Sequence, residues 1–195
     1  MTMKYISILF LSIFVENALF MRALGTRRML VLINKDNKLF KFGYLLLIIS
    51  IINTSIIWYV NLFLEKYEFY YMIMPFIFIF CMSISYIIAY IIIKNFWPDF
   101  LERNLHLIIS SNFNTLIFGS LLLTFSHNYE FIESIVFIIG TQIGFIIATL
   151  LVIEGNKRLK ISNIPKSFKG LPINLIYIGI LSLAFYGLVG HLLPS

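Results

Sequence analysis

Two polar runs interrupt otherwise apolar sequence, and they are where this chain could do chemistry. Glu16 and Asn17 stand inside the first apolar block, with Arg22 further along it. Ser110-Ser111-Asn112-Phe113-Asn114-Thr115 falls inside a later one. A charge placed in hydrocarbon is costly, so it needs a partner or a task. Glu16 reads either as a cation or proton relay, or as a structural carboxylate that hydrogen-bonds a broken or tightly packed helix. Arg22 can snorkel toward the interface or neutralise a carboxylate from a neighbouring helix. With Asn17, Asn112 and Asn114, these residues are the candidates for lining a polar path at mid-membrane. The chain has no Walker loop, dinucleotide fingerprint or metalloprotease motif, so no catalytic residue and no metal ligand is assigned. Its single cysteine, Cys81, lies in an apolar block and reads as a small buried hydrophobe. His127 reads as a loop residue and His106 as polar lining.

The elements that must position these groups follow from composition. Of 195 residues, 60% are hydrophobic and only 12% charged, too apolar for one small soluble core. A helix needs about 20 apolar residues to cross the hydrocarbon. Such stretches run from Lys4 to about Leu24, Phe42 to Leu64, Tyr70 to Ile93, Leu101 to Phe125, Phe131 to Ile153 and Leu171 to Leu193. The first lacks a small-residue cleavage pattern and is expected to be kept as an anchor. Pro172 fits a first helical turn and Pro194 follows the last stretch. Gly140 and Gly144 suit close helix packing, as do Gly179, Gly187 and Gly190.

Charge sets the orientation. Arg27, Arg28, Lys35, Lys38 and Lys41 lie between the first and second stretches. Lys157, Arg158, Lys160, Lys166 and Lys169 lie between the fifth and sixth, and Lys94 and Arg103 edge the link between the third and fourth. The alternate links hold only Lys66. The positive-inside rule puts the basic links in the cytoplasm and both termini on the other side. The net charge of +6 therefore reads as topology, not as a nucleic-acid surface. The fold expected is an all-α integral membrane domain over 1–195 with six transmembrane helices.

Asn17-Ala18-Leu19-Phe20 is similar to Asn114-Thr115-Leu116-Ile117-Phe118, and Gly25 and Gly119 follow at similar distances. The two segments open successive groups of three spans. An odd number of spans per group inverts the second group, which is the layout of an inverted-topology repeat. Residues 1–97 and 98–195 are thus expected to form two inverted three-helix repeats. The first helix of each is expected to be broken, near Glu16-Asn17 and Asn112-Asn114.

Phe14-Val15-Glu16-Asn17 with Leu24-Gly25, the loop Ile164-Pro165-Lys166-Ser167-Phe168-Lys169-Gly170, and Ser182-Leu183-Ala184-Phe185 with Gly187 and Gly190 carry a family resemblance. The chain resembles the six-span core subunits of the Rnf and Nqr ion-translocating electron transport complexes, most closely the RnfA/NqrE type and more distantly RnfE/NqrD. The resemblance implies a pair of such subunits of opposite topology, joined by further redox subunits. It also implies a [2Fe-2S] cluster held near the midplane by two cysteines from each. The family's Leu-Gly-x-Cys stands here as Leu24-Gly25-Thr26-Arg27, and its Asn-Cys-x-x-x-Gly as Asn114-Thr115-Leu116-Ile117-Phe118-Gly119. Arg27 and Thr115 thus replace both ligand cysteines. Neither offers the thiolate that such clusters use, so the chain is expected to bind no cofactor.

Two functions fit this reading. One is a non-enzymatic scaffold or ion-path subunit of an Rnf/Nqr-like complex in the bacterial inner membrane. The other is a divergent paralogue that transports an ion or small solute outside any redox chain. The topology has a direct check. Single cysteines placed at Lys38 and Arg158 should resist an impermeant maleimide added outside intact cells, whereas one at the C-terminus should react. Outside labelling at either basic link would reverse the orientation.

Overall fold

The computed structural model describes residues 2–33, 38–67 and 69–189. Lys35, Gly190, Leu193 and Pro194 lie outside them. Among the described residues the regular structure is entirely helical: α1 (Thr2–Phe10), α2 (Thr26–Leu32), α3 (Leu39–Leu64), α4 (Tyr70–Phe96), α5 (Pro98–Asn112), α6 (Thr115–Ser126), α7 (Phe131–Ile161) and α8 (Leu171–Val189). A π-helical turn, Leu11–Val15, extends α1, and a short 3₁₀ turn, Lys166–Phe168, precedes α8.

Four apolar stretches are long enough to cross a membrane: Leu39–Leu64, Met72–Phe96, Pro98–Ser126 and Phe131–Ile161. Met3–Val15 and Leu171–Gly187 are shorter apolar helices. The third stretch is continuous in composition but not in backbone, because α5 ends at Asn112 and α6 begins at Thr115. The first apolar block also departs from a plain span. Its regular helix stops at Val15, and turns occupy Glu16 to Gly25 before α2 starts. The helix ends therefore coincide with the polar runs at Glu16-Asn17 and Asn112-Asn114. Two links are also shorter than apolarity suggests. Only Trp97 separates α4 from α5, which places Arg103 within α5, and Lys157, Arg158 and Lys160 belong to the last turns of α7.

The chain divides into two compact units, Met1–Leu39 with Gly140–Ser195, and Phe40–Ile139. In the first unit, α7 approaches the α1 extension closely at its glycines. A Cβ on Gly140 would overlap Ser12, and one on Gly144 would sit 2.9 Å from the Ile13 carbonyl oxygen. The Phe20 and Phe185 rings meet at 4.6 Å, which ties the segment after the break to α8. Gly155 does the same for α7, since a Cβ there would strike the Tyr177 ring of α8. In the second unit, α4 packs on both halves of the interrupted pair α5 and α6. Ring contacts Phe78–Phe125 at 5.1 Å and Trp58–Phe131 at 5.2 Å hold α6 to α4 and α7 to α3.

These approaches fix which glycines matter. Gly144→Val should lower stability by about 1–3 kcal/mol through overpacking, read as an earlier unfolding midpoint in detergent. Gly179→Ala should be neutral or slightly stabilising, because a Cβ there meets nothing within 4 Å and the helix gains propensity.

Candidate functional site at the helix interruptions

In the unit built from α1, α2, the later part of α7 and α8, Asn17 organises the break. Its side chain is buried, 1% exposed, and its hydrogen-bonding capacity is fully used. The Nδ2 group donates to the Ile13 carbonyl at 2.9 Å and to the Gly144 carbonyl at 3.2 Å. Oδ1 accepts from the backbone N–H groups of Leu19 at 3.1 Å and Phe20 at 3.2 Å. An amide offers two donors and two lone pairs, so one side chain satisfies backbone groups on both sides of the gap and on α7. Gly144 has to be glycine for this contact, since a Cβ would crowd Asn17 Nδ2 at 3.2 Å.

Past Asn17 the chain makes one loose turn, with Met21 N donating to Asn17 O at 2.9 Å and Leu24 N to Ala18 O at 2.8 Å. Ala23 and Gly25 then take positive φ, 55° and 76°, and reverse the chain into α2. Glycine adopts that region freely, whereas alanine does so at a cost. Glu16 is half-buried, and its carboxylate lies 4.0 Å from the Arg22 guanidinium, whose side chain is 45% exposed. Arg22 thus faces a carboxylate of its own segment. Arg27 is exposed on the first turn of α2. Arg28 is partly buried there, and desolvation lowers its pKa from the ordinary value.

The second site lies in the other unit, where three helices contribute one buried network. Asn53 of α3, Ser85 of α4 and Asn112 at the end of α5 are each at most 1% exposed. Asn53 Nδ2 donates to Asn112 Oδ1 at 3.0 Å, and Asn112 Nδ2 donates to the Met82 carbonyl at 2.8 Å. The Ser85 hydroxyl has Asn53 Oδ1 at 2.6 Å, the Met82 carbonyl at 2.9 Å and Asn112 Oδ1 at 3.2 Å. One proton cannot serve all three acceptors, and the shortest contact is the best placed to take it. Asn114 does not join this network. It is the N-cap of α6, and its Oδ1 accepts from Leu116 N at 3.2 Å. Thr115 follows as the exposed first residue of α6.

Sequence reasoning singled out Asn17, Asn112 and Asn114 but missed Asn53 and Ser85, which look like isolated polar residues in apolar runs. It also missed Gln142 on α7. That side chain is fully buried, and both its amide atoms lack a hydrogen-bond partner among the described residues. A lone glutamine in an apolar span was the available signal. Cys81 is buried at 3% exposure and unpaired by disulfide. Among the described residues, no three His, Cys, Asp or Glu side chains converge as a metal site would require.

Apolar helices of membrane-crossing length, interrupted where buried amides replace backbone hydrogen bonds, define a polytopic helical membrane protein. Residues 5–192 match the model of the Rnf-Nqr subunit family of membrane proteins, and the chain belongs to that family. It is 36% identical over 77 residues to the protein named as the A subunit of the ion-translocating oxidoreductase complex in Pseudoalteromonas atlantica. It is 38% identical over 77 residues to the protein of that name from Syntrophotalea carbinolica, and 35% identical over 77 residues to one from Vibrio cholerae. Each of these matches covers 40% of this chain and 40% of the relative.

The networks predict unequal costs. Asn17→Ala should destabilise by about 2–4 kcal/mol, because several buried backbone groups lose a partner at once. Arg22→Gln should cost under about 1 kcal/mol, as expected for a long, half-exposed ion pair. Thermal unfolding of the detergent-solubilised variants would check both. Asn53→Ala and Asn112→Ala should be non-additive by about 0.5–3 kcal/mol in a double-mutant cycle, since they share one hydrogen bond.

Proposed function

We propose that this chain is a membrane core subunit of an Rnf/Nqr-like ion-translocating electron transport complex, serving as a scaffold or ion-path subunit without the usual [2Fe-2S] ligands. The family match over residues 5–192 is the observation that carries the reading. The similarity to proteins named as components of ion-translocating oxidoreductase complexes supports it.

The two interruptions support an inverted-repeat arrangement of six spans, the two shorter apolar helices completing the set. At each gap an asparagine, Asn17 or Asn114, accepts a hydrogen bond from the N–H two residues on. Each gap is followed by a helix whose opening turn carries a position aligned with a family cysteine, Arg27 in α2 and Thr115 in α6. Those positions do not fit an iron–sulfur cluster in this chain. A guanidinium carries a fixed positive charge and no lone pair to donate, and a threonine hydroxyl is a hard, neutral donor where iron–sulfur clusters take thiolates. Cys81 lies in the body of α4, away in sequence from both gaps.

What the chain retains is polar lining, part of it buried. Glu16 at one gap, Asn114 at the other and the unpartnered amide of Gln142 are groups that could face a desolvated cation or its water, while Asn17 and Asn112 hold the backbone and helices around them. In this reading the partners are a paralogous six-span subunit of opposite topology and further redox subunits, in the bacterial inner membrane, with both termini on the non-cytoplasmic side. The loss of soft donors at both Arg27 and Thr115 favours a second reading, a paralogue that moves an ion or small solute outside a redox complex.

Gentle purification from native membranes separates the two. Redox subunits bearing their own cysteines should co-purify, and iron and acid-labile sulfide should show no cluster attributable to this chain. Recovery of the chain without redox subunits would favour the transporter. A stoichiometric [2Fe-2S] signal by electron paramagnetic resonance that vanishes in Cys81→Ser would overturn the loss of the cluster.

A further inference from the structure

A cavity of about 350 Å³ opens where α7 ends and α8 begins, with Leu30 of α2 on its wall. All of its lining residues belong to one compact unit. The lining is chemically lopsided. Lys160 and Lys169 contribute two cations, and no carboxylate lines the space. Asn156 and Asn174 add two amides. Asn156 is only 5% exposed and makes no side-chain hydrogen bond among the described residues. The Oδ1 atom of Asn174 is buried and lacks a partner there, and as an acceptor it does not meet an anion, so this residue contributes through its Nδ2 group. A buried amide without a partner is uncommon, because it forfeits hydration and gets nothing back.

The backbone adds donors at the same place. Gly170 and Leu171 line the cavity at the start of α8, a helix of 19 residues. The first N–H groups of a helix have no partner within it, and the helix dipole makes that end positive. Pro172 has no N–H, which leaves those of Leu171 and Ile173. Gly170 holds φ at +89°, and a Cβ there would meet nothing within 4 Å, so the chain borders open space. Apart from Ser162, the remaining wall is apolar, built from Leu30, Leu159, Ile164 and Ile173. Exposed Ile161, Phe168 and Leu171 stand in the same segment.

Two lysines, the amide N–H groups of Asn156 and Asn174, and a helix N-terminus are all donors, the set that recognises a phosphate. Apolar walls beside them suit acyl or glycerol carbons. The site adjoins the basic link between α7 and α8, at the level where lipid headgroups lie if that link is cytoplasmic. We propose that this cavity binds the phosphate of an anionic amphiphile, held by Lys160 and Lys169 with Asn156, Asn174 and the first turn of α8. The site is independent of the helix interruptions and of any redox role.

The test uses the full chain, delipidated in detergent and titrated with dioleoyl phosphatidylglycerol or dioleoyl phosphatidylcholine, with bound lipid counted by native mass spectrometry. The first phosphatidylglycerol should bind at least about ten-fold more tightly than the zwitterionic lipid, whose choline opposes the lysines. Lys160→Ala and Lys169→Ala should each weaken it about five-fold, the effect of roughly one interfacial cation. Asn156→Leu, which keeps side-chain volume and removes an unpaired buried amide, should weaken binding without lowering the unfolding midpoint. Lys157→Ala, on the same helix but outside the cavity, should change nothing. Displacement of the lipid by millimolar inorganic phosphate would assign the free anion as an occupant, and resistance to it would assign the lipid. Either result upholds a phosphate site. Equal affinity for the two lipids in the wild type, or a preference that survives loss of both lysines, would overturn it.

Discussion

A backbone N–H or C=O inside hydrocarbon has no water to turn to, and the rest of this structure depends on how that demand is met where helices stop. Asn17 answers it at the first gap. Its amide bonds two N–H groups of the following turn, a carbonyl of the preceding helix and a carbonyl of α7. Removing any other single side chain of that segment would leave fewer backbone groups stranded. At the second gap the work is divided. Asn112 closes α5 by joining it to α3 and α4, while Asn114 opens α6.

Close packing follows from that constraint. The Gly144 carbonyl is reachable only if α7 lies within a side chain's thickness of the α1 extension, so Gly140 and Gly144 are part of the polar site rather than filler beside it. Lipid tails are as apolar as leucine, so helix association in a membrane relies on such contacts and on hydrogen bonds. The outward surface shows the complementary pattern. Large residues such as Phe76, Phe80 and Leu183 are more than half exposed, as suits groups that meet acyl chains.

The chemistry left to the chain is that of amides and hydroxyls, with few charges. Neutral amides can hold a broken backbone in place without the cost of keeping a carboxylate ionised in hydrocarbon. Cysteines at positions 27 and 115 would have stood on the opening turns of α2 and α6, where helix dipoles favour a thiolate. Arginine and threonine stand at those positions here, and neither is a soft donor. In the proposed reading the scaffold is separable from a cluster site, because the asparagines that support the breaks are not the residues aligned with the family's cysteines.

Much of this was legible in the residues alone. Apolar run lengths located the long helices closely except at the end of α7, which continues past the expected Ile153 to Ile161 because its basic last turns remain helical. The polar runs at Glu16-Asn17 and Asn112-Asn114 marked the helix ends, because a break frees backbone groups that a side-chain amide can bond. The family resemblance rested on Phe14-Val15-Glu16-Asn17 with Leu24-Gly25, on the loop from Ile164 to Gly170, and on Ser182-Leu183-Ala184-Phe185. Other features needed the tertiary structure. Asn53 and Ser85 are ordinary polar residues in their own helices, and only the crossing of α3, α4 and α5 makes them one network. Gly144 became a hydrogen-bond acceptor for Asn17 only through the approach of α7, a contact 127 positions apart in the chain. Glu16 and Arg22 could each have paired elsewhere, and the turn after Asn17 brought them together. Sequence determined which segments must leave water and where their helices must break, because those are demands each segment makes by itself. Which side chains repair the breaks was decided by tertiary packing, because a hydrogen bond between helices depends on distances that no single helix contains.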